Sequence, residues 1–315
     1  MSDWPNNKRF AFTIVDDTDR ATLDNVPLVY EFLNECGLKT SKTVWVFDGE
    51  VRNDNKDIIG SSCEDKAYLK WVQELQKKGF EIALHSSSWS RMKRERIIDS
   101  LDLFKKHFGS DPKLLAQHSD TKQNGSIYWG ANRLSGINKI FYRIVCKIMG
   151  KDINIFHGDT LGSPYFWGDI CKKRIKYVRN FISPNINTLK DAKNLPYHDS
   201  KRPYVNYWFS STDGGDIHSF NECLSEENQK KLEEEGGACI IYTHFGKGFV
   251  VDGQLNPEFK KLIRMLSVRN GWFVPASELL DHLLDKNENL SISYSDRSRL
   301  ERNWLKYKFR VGGTS

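Results

Sequence analysis

Short apolar runs alternate with amphipathic stretches along most of this chain. The first run covers residues 9–15 and precedes a cluster of acidic residues and an amphipathic stretch. Three comparable runs follow, and Phe10, Val44, Glu81 and Leu114 mark equivalent points at intervals of 34, 37 and 33 residues. One strand and one helix together occupy about this length. Consecutive units of this kind predict parallel strands, either in a barrel or in a doubly wound sheet.

The second half of the chain is less regular but contains further strand and helix patterns. Strands are predicted at 175–181, 205–209, 238–242 and 272–274. Amphipathic helices are predicted at 137–148, 226–235, 256–269 and 276–285. From residue 286 onward the composition becomes polar and charged. We therefore predict one domain over residues 1–285 and a basic, aromatic tail over residues 286–315.

Composition excludes several classes of protein. The chain of 315 residues is 39% hydrophobic and 28% charged, which excludes global disorder. No apolar run approaches the roughly 18 residues of a membrane span, and the N-terminus has no apolar signal core, so we predict a cytoplasmic protein. The six cysteines contain no C-x-x-C pair, so any metal site must use His, Asp and Glu.

The net charge of +6 lies mainly in the tail. Residues 296–315 hold six Lys and Arg against two acidic residues, a balance of +4. The rest of the chain is nearly neutral, which argues against a nucleic-acid partner. Since Leu300, Trp304 and Leu305 are interleaved with these cations, the tail either contacts a membrane surface or folds back against the domain.

Polar residues directly follow the predicted strands. They are Asp16 and Asp17, Asp48, His85, His118, residues 210–213, Thr243 and His244. The carboxyl ends of parallel strands meet at one face, so these side chains are expected to converge there. Carboxylates and imidazoles together are suited to metal-assisted hydrolysis. The alternative is that Asp16 and Asp17 only cap the following helix.

Three motifs resemble those of the polysaccharide deacetylase (NodB-homology, carbohydrate esterase) family. FTIVDDTD at 12–19 resembles T-F-D-D-G, GFEIALHSSSWS at 79–90 resembles G-x-E-I-x-x-H-[ST]-x-x-H, and IIYTHFG at 240–246 resembles L-x-H. The resemblance implies a distorted (β/α) barrel with fewer than eight regular units. It also implies Asp16 as catalytic base, Asp17 and His85 as ligands of a divalent metal such as zinc, and His244 as general acid.

The second motif departs from the family at one position. Trp89 stands where the family has a second histidine ligand. Either the metal is lost, or another residue replaces the imidazole, and His118 is the expected substitute with His157 as a weaker competitor. The family also supplies an Arg that orients the base, for which Arg133 and Arg91 are the candidates.

The resemblance implies hydrolysis of an acyl group, most simply N-acetyl, from an amino sugar of a glycan, a lipid-linked saccharide or a sugar nucleotide. Aromatic faces stack on sugar rings, so Trp89, Trp129, Trp167 and Trp208 are candidate substrate contacts. Two alternatives stay open from the sequence. One is a metal-free barrel that binds a glycan without hydrolysing it, and the other is an amide or cyclic imide hydrolase on the same scaffold.

Overall fold

The computed structural model describes residues 4–50, 59–90, 92–117, 125–127, 134–150, 156–287 and 290–311. Within these ranges seven parallel strands close into a barrel, because the seventh pairs with the first. They are β1 (Phe10–Asp16), β2 (Ser41–Trp45), β3 (Glu81–Ser86), β4 (Leu114–Leu115), β5 (Tyr177–Ser183), β6 (Tyr207–Asp213) and β7 (Ala238–Thr243).

Helices lie between the strands and around them. They are α1 (Val26–Glu35), α2 (Lys66–Lys77), α3 (Arg94–Phe108), α4 (Gly136–Ile148), α5 (Gly168–Arg174), α6 (Thr188–Asp191), α7 (Ile217–Cys223), α8 (Glu226–Glu235), α9 (Pro257–Ser267), α10 (Ala276–Lys286) and α11 (Tyr294–Val311). A short hairpin joins β8 (Val250–Val251) to β9 (Gln254–Leu255), and β10 (Gly271–Phe273) is the last strand. None of these helices is both long and apolar enough to cross a membrane.

Local sequence signals explain where several helices begin and end. The Asp65 side chain accepts hydrogen bonds from the N–H groups of Ala67 and Tyr68 at the start of α2. Gly109 ends α3 with φ of 87°, a conformation that costs glycine no steric clash. The observed ends therefore lie within a few residues of those that the apolar pattern predicts.

The edges of β1 explain why the barrel has fewer than eight regular units. One edge of β1 pairs with β7 from Ala11 to Asp16. The other edge is shared, since β10 pairs with the segment from Phe10 to Phe12 and β2 pairs only with Val15 and Asp16. The eighth predicted strand therefore lies beside the barrel wall without extending the ring. The predicted distorted (β/α) barrel is confirmed.

The predicted tail forms α11, which packs against β5 and α4. Leu300, Trp304 and Leu305 are all buried. The Trp304 ring lies 6.1 Å from the ring of Phe181 in β5 and 6.0 Å from that of Tyr142 in α4. Leu300, Trp304 and Leu305 therefore pack inside the protein and are not available to a lipid surface.

Replacing Trp304 by Ala is expected to lower the free energy of unfolding by about 3 to 5 kcal/mol, because it leaves a cavity between α11, β5 and α4. Phe309→Ala is the matched control, since Phe309 lies on the same helix but is 40% exposed. It should cost less than about 1 kcal/mol. Urea unfolding measures both, and equal losses would show that α11 is held by something other than the buried Trp304.

Candidate active site at the carboxyl ends of the strands

Polar side chains from three strands meet at the carboxyl end of the barrel. Asp16 is the last residue of β1, and Asp17 and Asp19 follow in the next loop. His85 lies near the end of β3, and His244 directly follows β7. All five side chains are buried. Closure of the barrel between β1 and β7 therefore brings distant parts of the sequence to one site.

Asp17, Asp19 and His85 form a cluster that fits a divalent cation. Each offers one ligand atom, and these atoms all lie within 4.8 Å of one another. His85 Nδ1 is 3.7 Å from Asp17 Oδ1, and the other ring nitrogen, Nε2, is 3.7 Å from Asp19 Oδ2, so a single ion would take only one of these two nitrogens. Ligand atoms about 2.1 Å from a zinc ion are themselves roughly 3 to 4 Å apart. Two carboxylates and an imidazole are also a donor set that zinc accepts.

Arg179, from β5, holds the Asp17 carboxylate from inside the barrel. Its Nη1 donates to Asp17 Oδ1 at 2.8 Å, and its Nη2 donates to Asp17 Oδ2, so the contact is a two-pronged fork. Burial by itself would raise the pKa of Asp17, but the charges of Arg179 and His85 outweigh burial and place the pKa below its ordinary value. Asp17 is therefore an ionised carboxylate of fixed orientation.

His244 lies beside Asp19. Its Nε2 is 2.9 Å from Asp19 Oδ2, and its Nδ1 contacts the carbonyl oxygen of Gly215. Because a carbonyl oxygen can only accept, Nδ1 carries a proton and donates it in that bond. The ring is thus held with Nε2 directed at the acidic cluster.

Asp16, the residue predicted as the base, lies outside this cluster. Asp16 Oδ2 accepts a hydrogen bond from the Tyr30 hydroxyl at 2.9 Å and lies 3.0 Å from Lys42 Nζ. Its Oδ1 accepts the N–H of Phe245 at 2.9 Å. Burial raises the pKa of Asp16, and the Lys42 ammonium and the Phe245 N–H oppose that rise. Both carboxylate oxygens of Asp16 are thus engaged in contacts within the protein, and its side chain has no exposed surface.

Three of the tryptophans predicted to contact substrate lie among the described residues and are buried. Trp89, Trp167 and Trp208 are all at most 5% exposed, so none presents a face to a ligand. Trp89, which replaces the second motif histidine, packs against Trp45 with ring centroids 5.0 Å apart. Trp45 in turn contacts the His85 ring at 5.7 Å. Trp89 therefore belongs to an aromatic wall beside the cluster.

Several predicted site residues lie outside the described residues. They are His118, Trp129, Arg91 and Arg133. The structure instead contributes Asp19 and Arg179, which the sequence reasoning missed. Asp19 belongs to the same acidic run as Asp17, which was a signal for its involvement. Arg179 had no such signal, because it stands 162 positions from Asp17 within an ordinary strand pattern.

Known proteins support the fold of this chain. No protein-family model matches the sequence, and no curated protein is significantly similar to it. A candidate polysaccharide deacetylase from Mycobacterium smegmatis superposes with a TM-score of 0.52 at 10% identity, over 92% of this chain and 96% of that chain. The chain has the polysaccharide deacetylase fold. The resemblance carried by the three sequence motifs is therefore confirmed at the level of the fold.

Two further solved structures are similar to the chain. A candidate polysaccharide deacetylase from Pseudomonas aeruginosa PAO1 has a TM-score of 0.49 at 12% identity, over 91% of this chain and 95% of that chain. The PuuE allantoinase has a TM-score of 0.46 at 12% identity, over 90% of this chain and 93% of that chain.

Replacing Lys42 by Met is expected to lower the free energy of unfolding by about 3 to 5 kcal/mol, because it leaves the buried Asp16 carboxylate without its cation. The double variant Asp16→Asn/Lys42→Met should recover much of this loss, since neither charge remains. Lys77→Met is the control at an exposed ion pair with Glu74 and should change stability far less, since solvent screens that pair. Urea unfolding of the three variants tests this contact between Lys42 and Asp16. Lys42→Met that is as stable as wild type would contradict it.

Proposed function

We propose that this protein is a metal-dependent hydrolase that removes an acyl group, most simply N-acetyl, from an amino sugar. The buried cluster of Asp17, Asp19 and His85, with His244 beside it, carries this proposal. The cluster occupies the carboxyl end of a barrel with the deacetylase fold, where the loops of such barrels place catalytic groups. Zinc is the metal we propose, since its preferred ligands include both carboxylate and imidazole.

Asp19 and His85 are the proposed protein ligands of the metal. Asp19 takes the metal-binding place that the sequence resemblance gave to Asp17, because its carboxylate lies within reach of the same point as His85. A divalent ion at this position would lower the pKa of a bound water and polarise the acyl carbonyl of the substrate.

Asp17 is the proposed proton acceptor during attack by water. The Arg179 fork occupies one lone pair on each oxygen of the carboxylate and leaves the others available. The Arg179 cation lowers the pKa of Asp17 and so keeps its carboxylate ionised, which is the form that can accept a proton. In the deacetylase family an Arg orients the base, and Arg179 supports the transfer of that role from Asp16 to Asp17.

His244 is the proposed donor of the proton that the departing amine needs. The Nδ1–H bond to the Gly215 carbonyl holds the imidazole in one orientation. Its Nε2 then points at the cluster, where the scissile bond would lie. The side chain is 7% exposed, so little bulk water competes for that proton.

Replacing Asp19 by Ala is expected to weaken zinc affinity by at least about 100-fold, because it removes one of the protein ligands. Asp24→Ala is the control, since Asp24 is an exposed aspartate in the same loop. Elemental analysis of protein purified without chelators, followed by competition with a zinc indicator, measures both. Wild-type protein that takes up no divalent metal would contradict the proposal and favour a glycan-binding protein without hydrolytic activity.

Replacing Asp17 by Asn should reduce turnover by a factor on the order of 100 or more, because an amide cannot accept the proton of the attacking water. Metal content should stay near that of wild type, which separates a base from a ligand. Acetate release from N-acetylglucosamine oligosaccharides is the assay, with Asp24→Asn as control. Wild-type turnover in Asp17→Asn would remove Asp17 as base. No acetate release by metal-loaded wild type would contradict the amino-sugar assignment.

A further inference from the structure

Helix α4 carries an apolar face that nothing in the described chain covers. Five large apolar side chains on it are between 50% and 79% exposed. They are Ile137, Ile140, Phe141, Ile144 and Ile148. At 3.6 residues per turn these positions fall within an arc of about 100°. The five residues therefore form one continuous stripe, which we call the apolar face of α4.

The opposite side of α4 shows that the helix is docked in a defined orientation. Asn138, Tyr142 and Cys146 are buried. Asn138 donates to the buried Glu301 carboxylate of α11 at 3.0 Å, and the ring of Tyr142 packs on Trp304. The apolar face thus points outward because the inner face is held by α11. Phe309 of α11 extends the exposed stripe, since its ring lies 5.9 Å from that of Phe141.

A row of cations borders the apolar face. Lys139, Arg143 and Lys147 follow at four-residue spacing along one flank, and the sequence of α4 contains no Asp or Glu. Arg143 and Lys147 are exposed. An apolar stripe flanked by Lys and Arg is the composition of a helix that lies in the interface of an anionic bilayer.

A second copy of the chain fits this surface less well. A two-fold contact through the apolar face would place the same residues of both copies opposite one another. Arg143 and Lys147 of one copy would then lie near those of its partner, with no carboxylate on α4 to neutralise them. Like charges brought together across an interface oppose association.

We propose that α4 is a membrane-docking helix, which places the protein on the surface of a bilayer rich in anionic lipid. The Ile and Phe side chains enter the boundary between headgroups and acyl chains, and the cations contact lipid phosphates. The inference rests on exposure and charge alone and is independent of the proposed hydrolysis. The proposed membrane contact is a different surface from the C-terminal tail, because the tail side chains Leu300, Trp304 and Leu305 are buried.

Flotation of the full-length protein with lipid vesicles tests the proposal. Wild-type protein should bind vesicles of phosphatidylcholine that contain about 30% phosphatidylglycerol. Its affinity for vesicles of phosphatidylcholine alone should be at least about ten-fold lower. Ile140→Glu/Ile144→Glu should reduce binding to the mixed vesicles about ten-fold or more. Val251→Glu/Val268→Glu is the matched control, because it changes two exposed valines elsewhere on the surface and should bind as wild type does.

Arg143→Glu/Lys147→Glu is an independent variant and should abolish the preference for phosphatidylglycerol. Unfolding temperatures close to that of wild type will show that the variants fold, as expected for exposed positions. Wild type that does not float with the mixed vesicles, or Ile140→Glu/Ile144→Glu that floats equally well, would overturn the proposal. If wild type does not bind vesicles but sediments as a dimer, and Ile140→Glu/Ile144→Glu sediments as a monomer, the surface is assigned to a second copy.

Discussion

Three buried carboxylates lie within four residues at the end of β1, and the interior can hold them only if each has a positively charged or imidazole partner. Burying an ionised group without such a partner is strongly unfavourable. The partners come from three other parts of the barrel: Lys42 serves Asp16, Arg179 serves Asp17, and His244 serves Asp19. The candidate site therefore exists only when the barrel is closed and its strands are in register.

Strand register decides which partners the Asp16 carboxylate meets. In the β1–β2 pairing Asp16 lies directly opposite Lys42, and in the β1–β7 pairing it lies opposite Thr243. Asp16 thus joins three adjacent segments, through Lys42 in β2, Tyr30 in α1 and the backbone of Phe245 after β7. This network supports the loop that carries His244. Asp17 and Asp19, one and three positions further along the chain, lie instead in the cluster with His85.

The structure uses apolar residues in two different ways. In the strands nearly every side chain is buried, because helices cover the outside of the wall and side chains fill the inside. In α4 the large aliphatic residues are exposed on one face, while Asn138, Tyr142 and Cys146 are buried on the other. Contiguous exposed apolar faces of this kind are typical of surfaces that meet a partner or a membrane.

The sequence by itself determined the order of the barrel strands and of several helices, the barrel class and the positions of His85, His244 and the acidic run after β1. These follow from apolar periodicity and short motifs, which are local properties of the backbone. The sequence could not determine which aspartate meets which cation, because that depends on register and on Arg179, which is remote in the chain. It also could not separate buried tryptophans from exposed ones, or the inner face of α4 from its outer face. Only the packing of elements far apart in sequence decides those, since burial and charge pairing are properties of the folded neighbourhood.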